Sequence, residues 1–143
     1  MYKKDKFRNL DKKYNSHLYT GLLGILMNYC HRKLENFNKK DGYDKILEIG
    51  AGSAPHIKYL SHNYNEYHIV DTSDYAKEIY KNETNSKIIF KKYNGVNLPY
   101  DNEYFDRIII SHTLEHILSP EEFIFEMMNK LKKGGVLSIA LPT

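Results

Sequence analysis

Four stretches of this 143-residue sequence place reactive or ligand-holding side chains directly after an apolar run. The first is Glu48-Ile49-Gly50-Ala51-Gly52-Ser53-Ala54-Pro55, an acid followed by a Gly-x-Gly step. Glycines there let the backbone turn tightly and approach a ligand, although an ordinary tight turn explains two glycines equally well. The dinucleotide fingerprint needs Gly or Ala at its sixth position; Pro55 stands there, which argues against NAD. The second is Asp71, which follows the next apolar run downstream of Glu48. A carboxylate at that place can accept both hydroxyl hydrogens of a ribose, or it can simply cap a helix. The third is Asn94-Gly95, whose amide could pair with an adenine edge or form a turn. The fourth is Ser111-His112-Thr113-Leu114-Glu115-His116, with two imidazoles suited to proton transfer near neutrality.

The elements that must position these residues follow from periodicity. Residues 45–50, 67–71, 87–90, 105–110 and 136–141 are short apolar runs that read as strands. Ser53 and Pro55 can start a helix after the first strand. Thr72 or Ser73 can cap a second, carrying Ala76, Ile79 and Tyr80. Ser119-Pro120-Glu121-Glu122 starts another. It is expected to bury Phe123, Met127, Met128 and Leu131 and to end at Lys132, Lys133 and Gly134-Gly135. Strands alternating with helices imply an α/β fold with a mainly parallel sheet. Ligands in such sheets bind beyond the carboxyl ends of the strands, where all four stretches lie. Upstream, Leu18, Leu22, Leu26, Tyr29, Cys30, Leu34 and Phe37 recur at helical spacing, so an amphipathic helix is expected over about 14–38.

Composition narrows the classes. Hydrophobic residues make up 41% of the chain, enough for a core. Cys30 is the lone cysteine, so neither an internal disulfide nor a cysteine-based zinc site can form, and a reducing, cytoplasmic setting is expected. The formal charge is +3, while residues 1–13 alone carry +4, so the remainder is not basic. Only Arg8, Arg32 and Arg107 among the 21 cationic residues are arginine, which disfavours a nucleic-acid reader. The basic start reads as a solvated arm. Leu22–Met27 is too short to span a bilayer, and no small-x-small cleavage site follows it.

The ordered set of motifs resembles class I S-adenosylmethionine-dependent methyltransferases of type 11, the group of the ubiquinone and menaquinone methyltransferases. Glu48-Ile-Gly-Ala-Gly-Ser-Ala is similar to their first motif, with Ala54 in place of its last glycine. Asn94-Gly-Val-Asn-Leu-Pro-Tyr-Asp-Asn-Glu-Tyr-Phe-Asp106, His112-Thr-Leu-Glu-His116 and Leu131-Lys-Lys-Gly-Gly-Val-Leu match later segments in the family's order. The resemblance implies a Rossmann-like sheet ordered 3-2-1-4-5 with helices on both faces. It divides the chain into a basic arm (1–13), an N-terminal helical lid (14–40) and an S-adenosylmethionine-binding domain (41–143) that lacks the family's last two strands. Gly50, Ala51 and Gly52 would pass under the methionine part of the cofactor, and Glu48 would help hold its amino group. Asp71 would bind the ribose, Thr72 would lie against the adenine, Asn94 and Gly95 would meet the adenine edge, and Ser111 would approach the methionine part through its backbone. His112 and His116 are the candidate bases; His31 and Tyr29 could help close the pocket. The implied activity is methyl transfer to a small-molecule or carbohydrate-like acceptor.

Two other classes compete. A non-catalytic cofactor-binding or scaffold fragment is suggested by the stop just past the fifth strand, whose open edge could associate with another chain. His112-x-x-Glu115-His116 also matches the inverted zinc-peptidase motif, which needs both histidines on one helix face.

Overall fold

The computed structural model describes residues 21–37, 40–53 and 55–141, and the side chains of these except Leu22 and Leu23. The basic arm, the expected helix start near residue 14 and Ala54 lie outside the described residues. Five strands form one sheet: β1 (Gly42–Ile49), β2 (Asn63–Asp71), β3 (Ile88–Lys92), β4 (Phe105–Ser111) and β5 (Leu131–Ala140). Its order is β3-β2-β1-β4-β5 with every neighbouring pair parallel, as expected from the sequence. The helices are α1 (Gly21–Asn36), α2 (Asp74–Tyr80) and α3 (Pro120–Lys130).

Both sheet faces are covered, and the strands show it by alternation. Leu47, Ile49, Ile108 and Ile110 face one way into a core with Phe123 and Met127 of α3. Ile46, Tyr67, Ile69 and Ile109 face the other, with Ala76 and Tyr80 of α2 and with Leu34 of α1 packed alongside. Residues one apart must point to opposite faces of a strand, so a parallel sheet buried on both sides needs near-continuous apolar runs. Register then fixes the site: Ile49 is level with both Val70 and Ile110, which brings the loops after β1, β2 and β4 to one edge. Among the described residues, no helix is long and apolar enough to cross a membrane.

Several expectations need correction. The stretch opened by Ser53 and Pro55 forms only a single 3-10 turn, His56–Tyr59, because Pro55 is extended (φ −64°, ψ 147°) and the His56 amide is taken by the Glu48 carboxylate. Helix α1 is rotated away from its apolar stripe: Gly24, Met27, His31 and Glu35 are buried, while Leu26, Tyr29 and Phe37 are 51%, 56% and 79% exposed. The polar partners of His31 and Glu35, described below, set that rotation. Helix α3 stops at Lys130, so Leu131 already belongs to β5, and Gly134 (φ +77°) and Gly135 lie in a register shift opposite Phe105 and Arg107. Met128 is 55% exposed, one step past the face that buries Phe123 and Met127. Of the two proposed caps before α2, Ser73 is the one used, accepting from the amides of Tyr75 and Ala76.

Candidate ligand-binding site

The loop after β1 turns through two left-handed glycines, Gly50 (φ +73°) and Gly52 (φ +54°). This is a region L side chains rarely enter. The Gly50 amide donates to the Val70 carbonyl at 2.9 Å, and the Gly52 amide donates to Asp71 Oδ2 at 3.0 Å. Asp71 is 7% exposed, and its Oδ1 accepts from the Ser73 amide at 2.8 Å. An ionised carboxylate has about four acceptor positions. Two backbone donors therefore orient Asp71 without saturating it.

Thr113 closes the same loop from the β4 side. Its hydroxyl lies 3.2 Å from the carbonyls of both Ile49 and Ser111, within donating reach of each. A side chain on Gly50 would overlap the Thr113 hydroxyl and methyl, so this glycine answers to a close approach as well as to its φ. Ser111 Oγ is buried without a hydrogen-bond partner among the described residues. The loop after β3 sits next to the loop after β2: a Cβ on Gly95 (φ +83°) would lie 3.4 Å from the Thr72 methyl. Asn94 is exposed, and its Oδ1 accepts from the amides of Val96 and Asn97 at 2.9 and 3.0 Å. Its carbonyl oxygen thus holds its own loop.

Glu48 lies beneath the first loop, 2% exposed. It accepts from the His56 amide (2.8 Å) and the Tyr67 hydroxyl (2.7 Å). Burial pushes its carboxyl up to about 7, because those two donors offset only part of the desolvation. Tyr67 is raised well above its ordinary value by burial and by the neighbouring Glu48.

The two candidate histidines part company. His112 is half-buried at φ +52°, with its amide bonded to the Ala140 carbonyl and its Nε2 buried without a partner among the described residues. Burial holds it below the ordinary imidazole range, partly opposed by Glu115. His116 is exposed at the end of a single 3-10 turn, Leu114–His116. Because His112 is left-handed and the turn is not an α-helix, the helix face required by the zinc-peptidase motif does not exist. Among the described residues, no group of three metal-ligating side chains could hold a metal ion.

Beside His112 lies a buried polar cluster. His31 Nδ1 is 2.8 Å from His56 Nδ1, and His56 Nε2 is 2.7 Å from Glu35 Oε1. Arg107 Nη1 donates to Glu35 Oε1 at 2.8 Å and to His62 Nε2 at 2.7 Å. His31 stacks on Tyr59 at 4.7 Å and meets the edge of His112 at 6.4 Å between ring centroids. Burial and then His56 lower His31 to about 3. Burial alone would raise Glu35, but His56, Arg107 and Ser61 outweigh it and hold the carboxyl at about 2. His31 was singled out in the sequence as a pocket-closing residue; Glu35, His56, Tyr67, Arg107 and Thr113 were not. One signal was available: an arginine inside the apolar run Phe105–Ile110 demands a buried acid.

Comparison with known proteins agrees with the fold. The profile described as "Methyltransferase domain" matches residues 47–139. The ubiquinone/menaquinone biosynthesis C-methyltransferase UbiE of Wigglesworthia glossinidia brevipalpis is 26% identical over 94% of this chain and 57% of its own length. The chain therefore spans little more than half of that relative. A methyltransferase solved in complex with the Haloferax volcanii Trm112 methyltransferase activator superimposes with a TM-score of 0.75 at 16% identity, over 96% of this chain and 57% of that one. A SAM-dependent methyltransferase from Aquifex aeolicus gives 0.67 at 20% identity, over 92% and 71%. At such identities the structural likenesses speak for the fold, whereas the profile covers well over half of the sequence, from the last residues of β1 almost to the end of β5. On that match, the chain belongs to the methyltransferase-domain family.

Proposed function

We propose that this chain binds S-adenosylmethionine in the crevice between Gly50–Gly52, Asp71–Thr72 and Asn94–Gly95, and serves methyl transfer to a small-molecule or carbohydrate-like acceptor. The observation that carries the reading is the contact between the Gly52 amide and the Asp71 carboxylate, which sets a glycine turn and an oriented acid side by side on adjacent parallel strands. When bound, the cofactor supplies a methyl group already activated by its sulfonium. What the protein must add is alignment and exclusion of water.

The residues divide that work. Asp71 keeps acceptor positions for two ribose hydroxyls, and Thr72 and Gly95 border the adenine. Asn94, its carbonyl engaged, offers amide hydrogens to an adenine ring nitrogen. Gly50, Ala51 and Gly52 leave the backbone bare under the methionine part, and the Ser111 backbone approaches the same part. Glu48 fixes the loop from below, so in this reading it supports the methionine amino group through the Gly50–Gly52 backbone rather than by direct contact. His112 borders the acceptor, and it is the better placed of the two histidine candidates; His116, out at the surface, would serve only an acceptor that reaches beyond the turn. Helix α1 forms the lid.

Calorimetry with S-adenosylmethionine and S-adenosylhomocysteine, on this chain and on Asp71→Ala, tests the reading. Losing two hydrogen bonds to a charged acceptor should weaken binding by about 2–4 kcal/mol. Because Asp71 also holds Gly52, the variant's fold is checked by its melting transition in the same experiment. Unchanged affinity in a folded variant contradicts the ribose assignment, and no binding to the parent favours the scaffold reading.

A further inference from the structure

The ladder between β1 and β4 ends at the pair Ile49–Ile110. Just beyond it the strands give way to loops, and one side chain still joins them. The Thr113 hydroxyl lies 3.2 Å from the Ile49 carbonyl, 3.2 Å from the Ser111 carbonyl and 3.5 Å from the Gly50 carbonyl. A hydroxyl has one hydrogen to donate, so it serves one of these acceptors at a time. All three belong to residues where a strand ends or a turn begins.

Thr113 is itself held on both sides. His112 before it is left-handed (φ +52°), with its amide bonded to the Ala140 carbonyl at 3.0 Å. Leu114 after it is buried in the core with Leu47 and Ile49. The Thr113 carbonyl accepts from the His116 amide at 3.0 Å. Strand side chains stand off the sheet, so Thr113 reaches sideways to β1 only because the chain has already turned at His112. A left-handed backbone is a cost for a residue other than glycine, and contact with the glycine turn is what that cost brings.

Gly50 meets this side chain from a fixed position of its own. Its amide is bonded to the Val70 carbonyl of β2 at 2.9 Å. Its bare Cα packs against Thr113: an added Cβ would lie 2.7 Å from the Thr113 methyl carbon and 3.1 Å from its Cβ. The first residue of the Gly50–Gly52 turn is thus clamped between β2 and the loop after β4. The other end is tied separately, through the Gly52 amide on Asp71.

We propose that Thr113 is a positioning residue for the methionine part of the cofactor, acting through the backbone of Gly50 rather than on the ligand. It rests on the S-adenosylmethionine reading and adds a residue to it. Glycine gives up more conformational freedom than any other residue when it is ordered, and a loop ordered beforehand does not charge that loss to binding. Thr113 orders the Gly50 end of the turn. The ribose side depends on Asp71, which the Ser73 amide also holds without help from Thr113. The two halves of the ligand should therefore feel Thr113 unequally.

The test compares Thr113→Val, which keeps the shape and loses the hydroxyl, with Thr113→Ser, which keeps the hydroxyl. S-adenosylhomocysteine and methylthioadenosine are the probes, because the second lacks the amino-acid part. In Thr113→Val the affinity for S-adenosylhomocysteine should fall about tenfold, while that for methylthioadenosine stays within about twofold of the parent. Thr113→Ser should bind both probes as the parent does. Unchanged binding in Thr113→Val overturns the proposal. So does an equal loss of both probes, which means a general loosening, or an equal loss in both variants, which means packing by the methyl group. Amide spectra without nucleoside give a second readout. Gly50 and Ala51 should show single sharp resonances in the parent and in Thr113→Ser, and broadened or doubled ones in Thr113→Val, with Gly95 unaltered. Unaltered Gly50 and Ala51 in Thr113→Val overturn the proposal whatever the affinities. If Thr113→Val fails to fold, Thr113→Ala takes its place in both measurements. Failure of the cofactor reading would show separately, as a parent that binds neither probe, and the spectra would still decide whether Thr113 sets the turn.

Discussion

Glu48 and Asp71 are carboxylates at the ends of neighbouring strands, and their surroundings give them different work. Asp71 receives two backbone amides at the glycine turn, whereas Glu48 is walled in by His56 and Tyr67. The difference has a measurable sign. Glu48 has a folded value of about 7 against about 4.5 when unfolded. The native state thus binds the extra proton between those values, so stability is fully present below pH 4.5 and declines as pH rises through 7. Glu48→Gln cannot ionise; its stability relative to the parent should therefore rise between pH 5 and pH 8 in denaturant titrations. A constant difference between the two proteins at both pH values would show that Glu48 is not held protonated. At this scale the sequence exposed Asp71 and the two glycines, because strand ends mark them. Thr113 and His56 stayed hidden, since their partners (the Ile49 carbonyl and the Glu35 and Glu48 carboxylates) are fixed only once strands and helices are stacked.

Among the elements, α1 departs furthest from its sequence reading. Counting only apolar residues at helical spacing selects the face of Leu26 and Tyr29; the real buried face carries His31 and Glu35 at the same spacing. Periodicity cannot choose between them, because a polar stripe is buried only if distant partners neutralise it. Here the partner is Arg107, on a strand far along the chain. Replacing Glu35 with leucine leaves Arg107 buried and uncompensated and should cost about 3–5 kcal/mol, whereas Leu26→Gln should stay within about 0.5 kcal/mol. Chemical denaturation of both variants reads the contrast, and similar losses would place the wrong face inward. The first loop offers a second check. Gly50→Ala meets both a left-handed φ and the Thr113 side chain. Adding Thr113→Ala should return the steric part of the loss and leave the backbone strain of about 1–3 kcal/mol. Full recovery in the double variant would mean that φ at residue 50 is not constrained.

For the whole molecule, five strands in a mainly parallel sheet were legible because five apolar runs alternate with polar connections, whereas their order was implied by the resemblance of the motifs to the methyltransferase family. The helix after β1 was not, since Glu48 and Pro55 convert its expected start into a single turn. What the complete arrangement adds is convergence. Loops widely separated in the chain, after β1, β2, β3 and β4, meet at one edge of the sheet. The most direct measurement of that convergence is a proton–nitrogen amide map of this chain titrated with S-adenosylhomocysteine. The account predicts that Gly50, Gly52, Thr72, Gly95 and Ser111 shift together along one saturation curve. Shifts confined to residues away from this edge, or no shifts at millimolar nucleoside, would contradict it.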